Sequence, residues 1–332
     1  MRTIPWALAT TLILSSSGCL EHEETLVVSA DGSLSVRYEV HGDAEDLEGG
    51  AAEHPADGPW QVTRSTRAKR DGKLEHVLTA SAELGSVDEL PAHFGDPESA
   101  LTRATRLEVT PSAEGRVYRF SRSYGAREWA PYAFAQERAF PKEVRALFER
   151  LDDYPAFSAA ERQQLVRGLC ELERVKIAHW VERSLSRMGQ HADARARAAL
   201  PVQAALDAEL AASVDAAFLE RMLSDPERIE ATSRALEARL HARAAAAAAR
   251  ALELGPDGER KLLAGLAREQ RIYEVSEDLG DEAFVVRLRL PGTVLQHNAD
   301  AVEGETLVWR FSGKDLRDRD HRLLATSLAR PQ

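Results

Sequence analysis

Two thiols, one histidine–carboxylate pair and one acidic loop are the residues of this sequence whose types and spacing bear on chemistry. Cys19 and Cys170 are the only cysteines. Cys19 ends the run Leu14-Ser15-Ser16-Ser17-Gly18-Cys19, where small residues close a short apolar N-terminus, and this is the clearest chemical signal in the chain. Cys170 falls among Leu165, Leu169 and Leu172, an apolar helical stripe that places it as a small buried residue. No His-Asn or His-Asp set is organised around it to make a nucleophile. His179 and Glu182, three apart, share one face of a helix. Metal sites in helical bundles use two such pairs with further carboxylates, so a single pair reads as a packing or surface interaction. Asp43, Glu45, Asp46 and Glu48 lack the ligand spacing of a calcium loop and read as a solvated acidic loop. The chain has no Gly-rich phosphate loop ending in Lys-Ser/Thr, no H-E-x-x-H, no G-x-S-x-G and no paired C-x-x-C. No catalytic residue, metal-ligand set or cofactor is therefore expected, and no ligand-binding residue stands out.

The N-terminus carries the order of a secretory signal: Arg2 as a positive start, a mostly apolar Ile4 to Leu14, then small residues. The apolar run is far shorter than the roughly 20 residues a spanning helix needs, so it reads as a removable segment. With Gly18 and Ser17 before Cys19, it resembles the signal of bacterial lipoproteins, although Ser16 stands where that group prefers Leu. The resemblance implies removal of residues 1–18, lipidation of Cys19 with acyl chains such as palmitate, and attachment to a membrane on the extracytoplasmic side. Leu20 follows where some bacteria place an Asp retention signal, so the resemblance points to the outer membrane if the cell has one. Several chains on one residue hold a protein stably, whereas one alone binds marginally.

Removing 18 of the 332 residues leaves 314, enough for one large domain or two small ones. Arg2 is the only charge in that segment, so the mature chain carries 42 basic against 54 acidic residues, a net −12. That balance argues against nucleic acid as a partner, and against binding to anionic lipid by bulk charge though not by a local patch. With Cys19 acylated, no intramolecular disulfide is available. Stability must then come from an apolar core, for which 44% hydrophobic residues suffice.

Hairpins fill the first part of the chain. Leu26 and Val28, the pair Asp31-Gly32, then Leu34, Val36, Tyr38 and Val40 alternate strictly around a tight turn. Residues 42–59 read as a loop. A second hairpin, Trp60 to Leu84, turns at Asp71-Gly72, and a third joins 106–110 to 116–124. From Pro141 to about Ile272, Ala, Leu, Arg and Glu take over. Ser158 to Glu161 is a capping box, and Val202, Leu206, Leu210, Val214 and Phe218 form one i,i+4 row. Asp225-Pro226 starts another helix, and Gly255-Pro256 ends it. Strands return after Glu282, with Val286, Leu288 and Leu290, then Leu307, Trp309 and Phe311, facing inward; residues 312–332 read as a charged tail that ends in a short apolar stretch, Leu323 to Leu328.

Two separated segments resemble one known group. The first is Leu26 to Val36 around Asp31-Gly32. The second is Leu290-Pro291-Gly292-Thr293-Val294, Asn298, then Val302-Glu303-Gly304-Glu305-Thr306-Leu307-Val308-Trp309. Together they resemble the LppM-type lipoprotein domain, whose members are membrane-attached bacterial proteins with a twisted antiparallel sheet, some of them linked to binding lipids or glycolipids. Ala299 stands where the family often has Gly, and the helical segment is unusually long.

The expected class is α+β: a twisted antiparallel β-sheet with a large inserted or appended α-helical region. The expected division is a signal at 1–18, hairpins at 19–140, a helical insertion at 141–275 and returning strands at 276–332. The expected function is that of a non-enzymatic, lipid-anchored envelope protein with a binding or interaction role, the resemblance adding a lipid or other apolar ligand. The alternative is an assembly subunit that docks envelope partners through its helical region.

Overall fold

The computed structural model describes residues 20–44, 47, 54–55, 58–68, 74–94, 101–224 and 226–331. The class is α+β, and the chain divides into two units. One runs through the strands on both sides of the helical segment, up to Glu128 and again from Val275; the other spans Trp129–Glu274. Cys19 and the segment before it, the Asp71-Gly72 turn, Glu45, Asp46 and Glu48, and the cap Asp225 lie outside the described residues.

The β unit holds two sheets where one was expected. The first has seven strands in the order β3-β4-β2-β1-β7-β10-β9: Gln61–Ala68, Leu74–Leu84, Leu34–Gly42, Glu21–Val28, Ala283–Arg289, Thr306–Ser312 and Ala301–Glu303. The second has four, β5-β6-β11-β8: Arg103–Ser112, Gly115–Tyr124, His321–Ala329 and Thr293–His297. β1 pairs antiparallel with β2 and parallel with β7, so the first sheet is mixed. The parallel pair follows from the chain's path, because β7 returns only after the whole helical segment and need not reverse against β1. β11 replaces the expected charged tail. Its buried positions, Leu323, Ala325 and Ser327, alternate with polar or half-exposed ones, but the preceding Asp-Arg run obscures that period.

The inner faces of the two sheets share a core. Leu26, Val28, Leu34, Val36, Val286, Leu288, Leu307 and Trp309 meet Tyr118, Phe120, Tyr124, Leu323 and Ala325. The residues behind the family resemblance act structurally. Asn298 Oδ1 accepts from Trp309 Nε1–H at 2.9 Å and from the Leu324 amide at 2.7 Å, while its Nδ2–H donates to Arg322 carbonyl oxygen at 2.7 Å. One amide side chain thereby ties β10 to β11. Gly292 adopts φ +79°, and a Cβ there would lie 2.2 Å from the Leu328 carbonyl oxygen, so no other residue fits that turn.

The helical unit begins earlier than expected, with α1, Ala130–Ala139, followed by α2, Lys142–Phe148. Its aromatic content (Tyr132, Phe134) hides the helical character, while Pro131 suits the first turn. Then come α3, Ala159–Arg187, capped by the Ser158–Glu161 box, α4, Ala192–Ser213, α5, Ala216–Ser224, α6, Pro226–Ala251, and α7, Gly255–Asp278. The expected continuous row from Val202 to Phe218 breaks. Val214 turns extended, and Asp215 Oδ1 accepts the Phe218 amide at 2.6 Å, capping a new helix.

Candidate functional site

The break at Val214 opens the helical core. α5 folds across α3, and between them Leu165, Leu169 and Cys170 of α3 face Phe218, Leu219, Met222 and Leu223 of α5. Val214, Phe148 and Leu151 close the ends, so every lining side chain is apolar or a thiol. The space open to a water-sized sphere is about 20 Å³, room for about one water, and the crevice is therefore closed around its own side chains. α5 is held over it by the Asp215 cap and by the Tyr154 hydroxyl, which donates to the Ala216 carbonyl oxygen at 3.1 Å.

On the other side of Cys170 lies an open polar cleft of about 520 Å³, lined by Arg138 of α1, Arg167, Glu171 and Arg174 of α3, and Asp207 of α4. Arg138 meets Glu171 at 2.6 Å and Arg174 meets Asp207 at 3.5 Å. Gly168 forms its floor. A Cβ there would lie 2.9 Å from the Ala139 carbonyl oxygen and 3.2 Å from Val144, so only glycine lets α3 pack this closely on α1 and α2. Cys170 lines both spaces. Burial, then the charges of Glu173 and Asp207, push its thiol up to about 11, so it stays protonated and apolar at neutral pH. It is half-buried rather than fully buried, because it forms the wall between the two spaces.

Deeper in the same unit, charged groups line the seam of α3, α6 and α7. Lys176 donates to Glu173 at 2.7 Å and lies over the rings of Trp180 and Tyr273. Burial, reinforced by Glu173, raises Glu237 to about 7. Burial, reinforced by Lys176, lowers His241 to about 4, and its ring meets Trp180 edge-on at 5.6 Å. His179 packs edge-on against Tyr132 at 5.5 Å, while Glu182 is exposed. The structure does not bring that sequence pair into a ligand set.

The β unit contains two arrangements that strand alternation hid. In the first, His22 joins Glu282 at 2.6 Å through Nε2 and Tyr38 at 2.5 Å through Nδ1, stacked on Phe284 at 4.7 Å. A carboxylate only accepts, so in the neutral ring Nε2–H donates to Glu282 and the Tyr38 hydroxyl donates to Nδ1. The order resembles an acid–base relay, but Tyr38 is 1% exposed and sealed in the core. In the second, Glu24 of β1 meets Arg122 of β6 at 2.6 Å and Arg103 of β5 at 3.4 Å, and Tyr124 donates to it at 3.0 Å. Arg103 stacks over Phe94 at 4.7 Å. These charges link the two sheets from inside.

On the outer face of the larger sheet, Glu23, Glu39 and His41 place a carboxylate oxygen or ring nitrogen each within 4.8 Å of one another. Sequence reasoning passed over all these groups because they lie up to 260 residues apart and converge only through strand pairing. Cys19, the one site residue expected from the sequence, lies outside the described residues. No described helix is long and apolar enough to cross a membrane. Comparison with family models, with curated proteins and with solved structures finds no match to this chain.

Proposed function

We propose that this chain is a lipid-anchored, non-enzymatic protein of the cell envelope, related to the LppM-type lipoproteins, whose helical unit binds the acyl portion of an anionic lipid. The observation that carries the reading is the juxtaposition at Cys170 of an all-apolar crevice and an arginine-lined cleft. Such a pair matches an amphipathic molecule, with its chain among Leu169, Phe218 and Met222 and its headgroup beside Arg167 and Arg174. Entry requires α5 to lift, since the crevice is closed when empty. The lifted state is within reach because α5 is short and abuts the break at Val214.

Anchoring through acyl chains on Cys19 is consistent with how β1 begins. Leu20 is buried, and its carbonyl oxygen accepts the Ala283 amide at 2.9 Å. The residue after the acylated Cys19 would already belong to the sheet, leaving no tether between membrane and fold. A protein so held would work on lipids at the surface that bears it.

The test uses the full chain purified from its own membranes in mild detergent. Bound lipid is extracted and identified by mass spectrometry, and phosphatidylglycerol and phosphatidylcholine are then titrated while alkylation of Cys170 is followed. Co-purifying anionic lipid, protection of Cys170 by phosphatidylglycerol, and weaker protection in Arg167→Gln/Arg174→Gln support the reading. Absence of lipid together with unchanged Cys170 alkylation refutes it, and a stoichiometric envelope protein in its place favours the assembly-subunit alternative.

A further inference from the structure

Glu23 and Glu39 are direct partners in the β1–β2 register, so two carboxylates stand opposite each other on the same face of the sheet. Like charges in that position destabilise a sheet unless a cation lies between or beside them. Arg287 supplies part of the compensation, donating to Glu23 Oε2 at 2.7 Å. Arg37 does the same for Glu39 Oε1 at 2.9 Å. Each carboxylate has a second oxygen, and the neighbour on the same face of β2, two residues on, is His41.

His41 is 6% exposed, and its two nitrogens differ. Nδ1 is engaged from the β3–β4 side, where Arg67 donates to it at 3.0 Å and the Glu75 carboxylate stands at 3.6 Å. Nε2 is buried and has no hydrogen-bond partner. A buried polar nitrogen left unpaired is costly, and it calls for an occupant. On β1 the residue paired with His41 is Glu21, which makes Glu23 its diagonal neighbour on the same face. Imidazole plus two carboxylates is a donor set for zinc and its neighbours in the first transition row rather than for magnesium or calcium, which prefer oxygen alone.

We propose that Glu23, Glu39 and His41 form a zinc-class divalent cation site on the outer face of the larger sheet, with Glu75 as the carboxylate that orients the histidine. Ligation through Nε2 moves the ring proton to Nδ1, which gives up the bond it accepts from Arg67 and donates to Glu75 instead; metal-bound histidines almost always donate their second N–H to such a partner. Tetrahedral ligation at about 2.0–2.2 Å sets donor atoms about 3.4 Å apart. The present limit of 4.8 Å therefore needs up to about 1.4 Å of closure, which rotation of two half-exposed glutamates supplies. Arg37 and Arg287 compete with the ion for the carboxylates, so the site is regulated by these two arginines as well as filled by the metal. The proposal is independent of lipid binding, which it places in neither the same unit nor the same residues.

The experiment titrates Zn²⁺ into the EDTA-stripped full chain by calorimetry, with Mg²⁺ as control and the melting temperature in EDTA as a check on folding. One Zn²⁺ per chain is expected. Affinity should be at least tenfold weaker in Glu39→Gln and His41→Gln, about 10–100-fold weaker in Glu75→Gln, and stronger in Arg287→Gln. Should the buried His41→Gln fail to fold, Glu23→Gln and Glu39→Gln at half-exposed positions give the same readout. Failure of the wild type to bind Zn²⁺, equal affinity for Mg²⁺, or unchanged stoichiometry and affinity in the glutamate variants overturns the proposal.

Discussion

Replacing Glu24 by alanine would strand the guanidinium group of Arg122 in the core of the β unit and take one of its partners from Arg103. Arg103 and Arg122 are each 1% exposed, and Glu24 is the carboxylate both face, at 3.4 and 2.6 Å. Arg122 cannot deprotonate, so the variant must keep its buried positive charge without that carboxylate or open the sheets to water. Removing one partner of a buried pair typically costs about 3–5 kcal/mol. The Tyr124 hydroxyl also loses its acceptor and keeps only the bond from Arg122 Nε–H, at 3.0 Å. For a unit of roughly 150–250 residues, each kcal/mol shifts the melting temperature by about 2–4 °C, so the expected fall is about 6–20 °C. Calorimetry should place that fall in the transition of the β unit, and hydrogen exchange should show the loss of protection concentrated in β6. The companion variant replaces Glu24 by Leu and both arginines by Met; a buried ionic cluster exchanged as a whole for apolar residues is often neutral, so it should recover most of the loss. A melting temperature within about 2 °C of wild type for Glu24→Ala would refute the reasoning, because it would mean that the charges are already solvated.

Trp309→Ala should cost about 3–5 kcal/mol from its buried indole, with Trp309→Phe costing less since it loses chiefly the bond to Asn298; thermal melts of both variants check the order. Trp309 lines neither the crevice nor the cleft at Cys170, so its loss should leave lipid protection of Cys170 unchanged. For Glu237, raised to about 7 against an ordinary 4.5, the folded state holds the proton more tightly; the stability it contributes is full below about pH 4.5 and lost as pH rises through 7. Glu237→Gln should thus match wild type near pH 4.5 and exceed it by on the order of 1–3 kcal/mol at pH 8, as read from denaturant melts. His241, lowered to about 4, has the opposite sign, stabilising above about pH 6.5 and losing that contribution as pH falls through 4. Cys170, raised to about 11, should react with iodoacetamide at pH 7.5 far more slowly than free cysteine, a rate that mass spectrometry measures. Cys19→Ser should release the chain from washed membranes; retention as firm as wild type would defeat the anchoring proposal.

The sequence by itself determined what depends on local period and local chemistry. Strict alternation around Asp31-Gly32 specified β1 and β2, the Ser158–Glu161 box specified the start of α3, and the loss of β-branched residues marked the helical segment. These features read correctly because a hairpin or a cap is decided within a few residues by backbone sterics and short hydrogen bonds. Only the tertiary structure decided that there are two sheets, that β1 and β7 run parallel, and that 321–329 is a strand, since each rests on pairing between distant segments. The same holds for the candidate sites. Val214 and Phe218 continued an i,i+4 row in sequence, and the Asp215 cap, a local signal that the row concealed, broke it into the wall of a crevice. Glu23, Glu39 and His41 carry no ligand spacing along the chain; antiparallel register set the two carboxylates face to face, and burial left one histidine nitrogen without a partner. Distance along the chain says nothing of such convergence, because strand pairing brings together whichever residues the register leaves opposite.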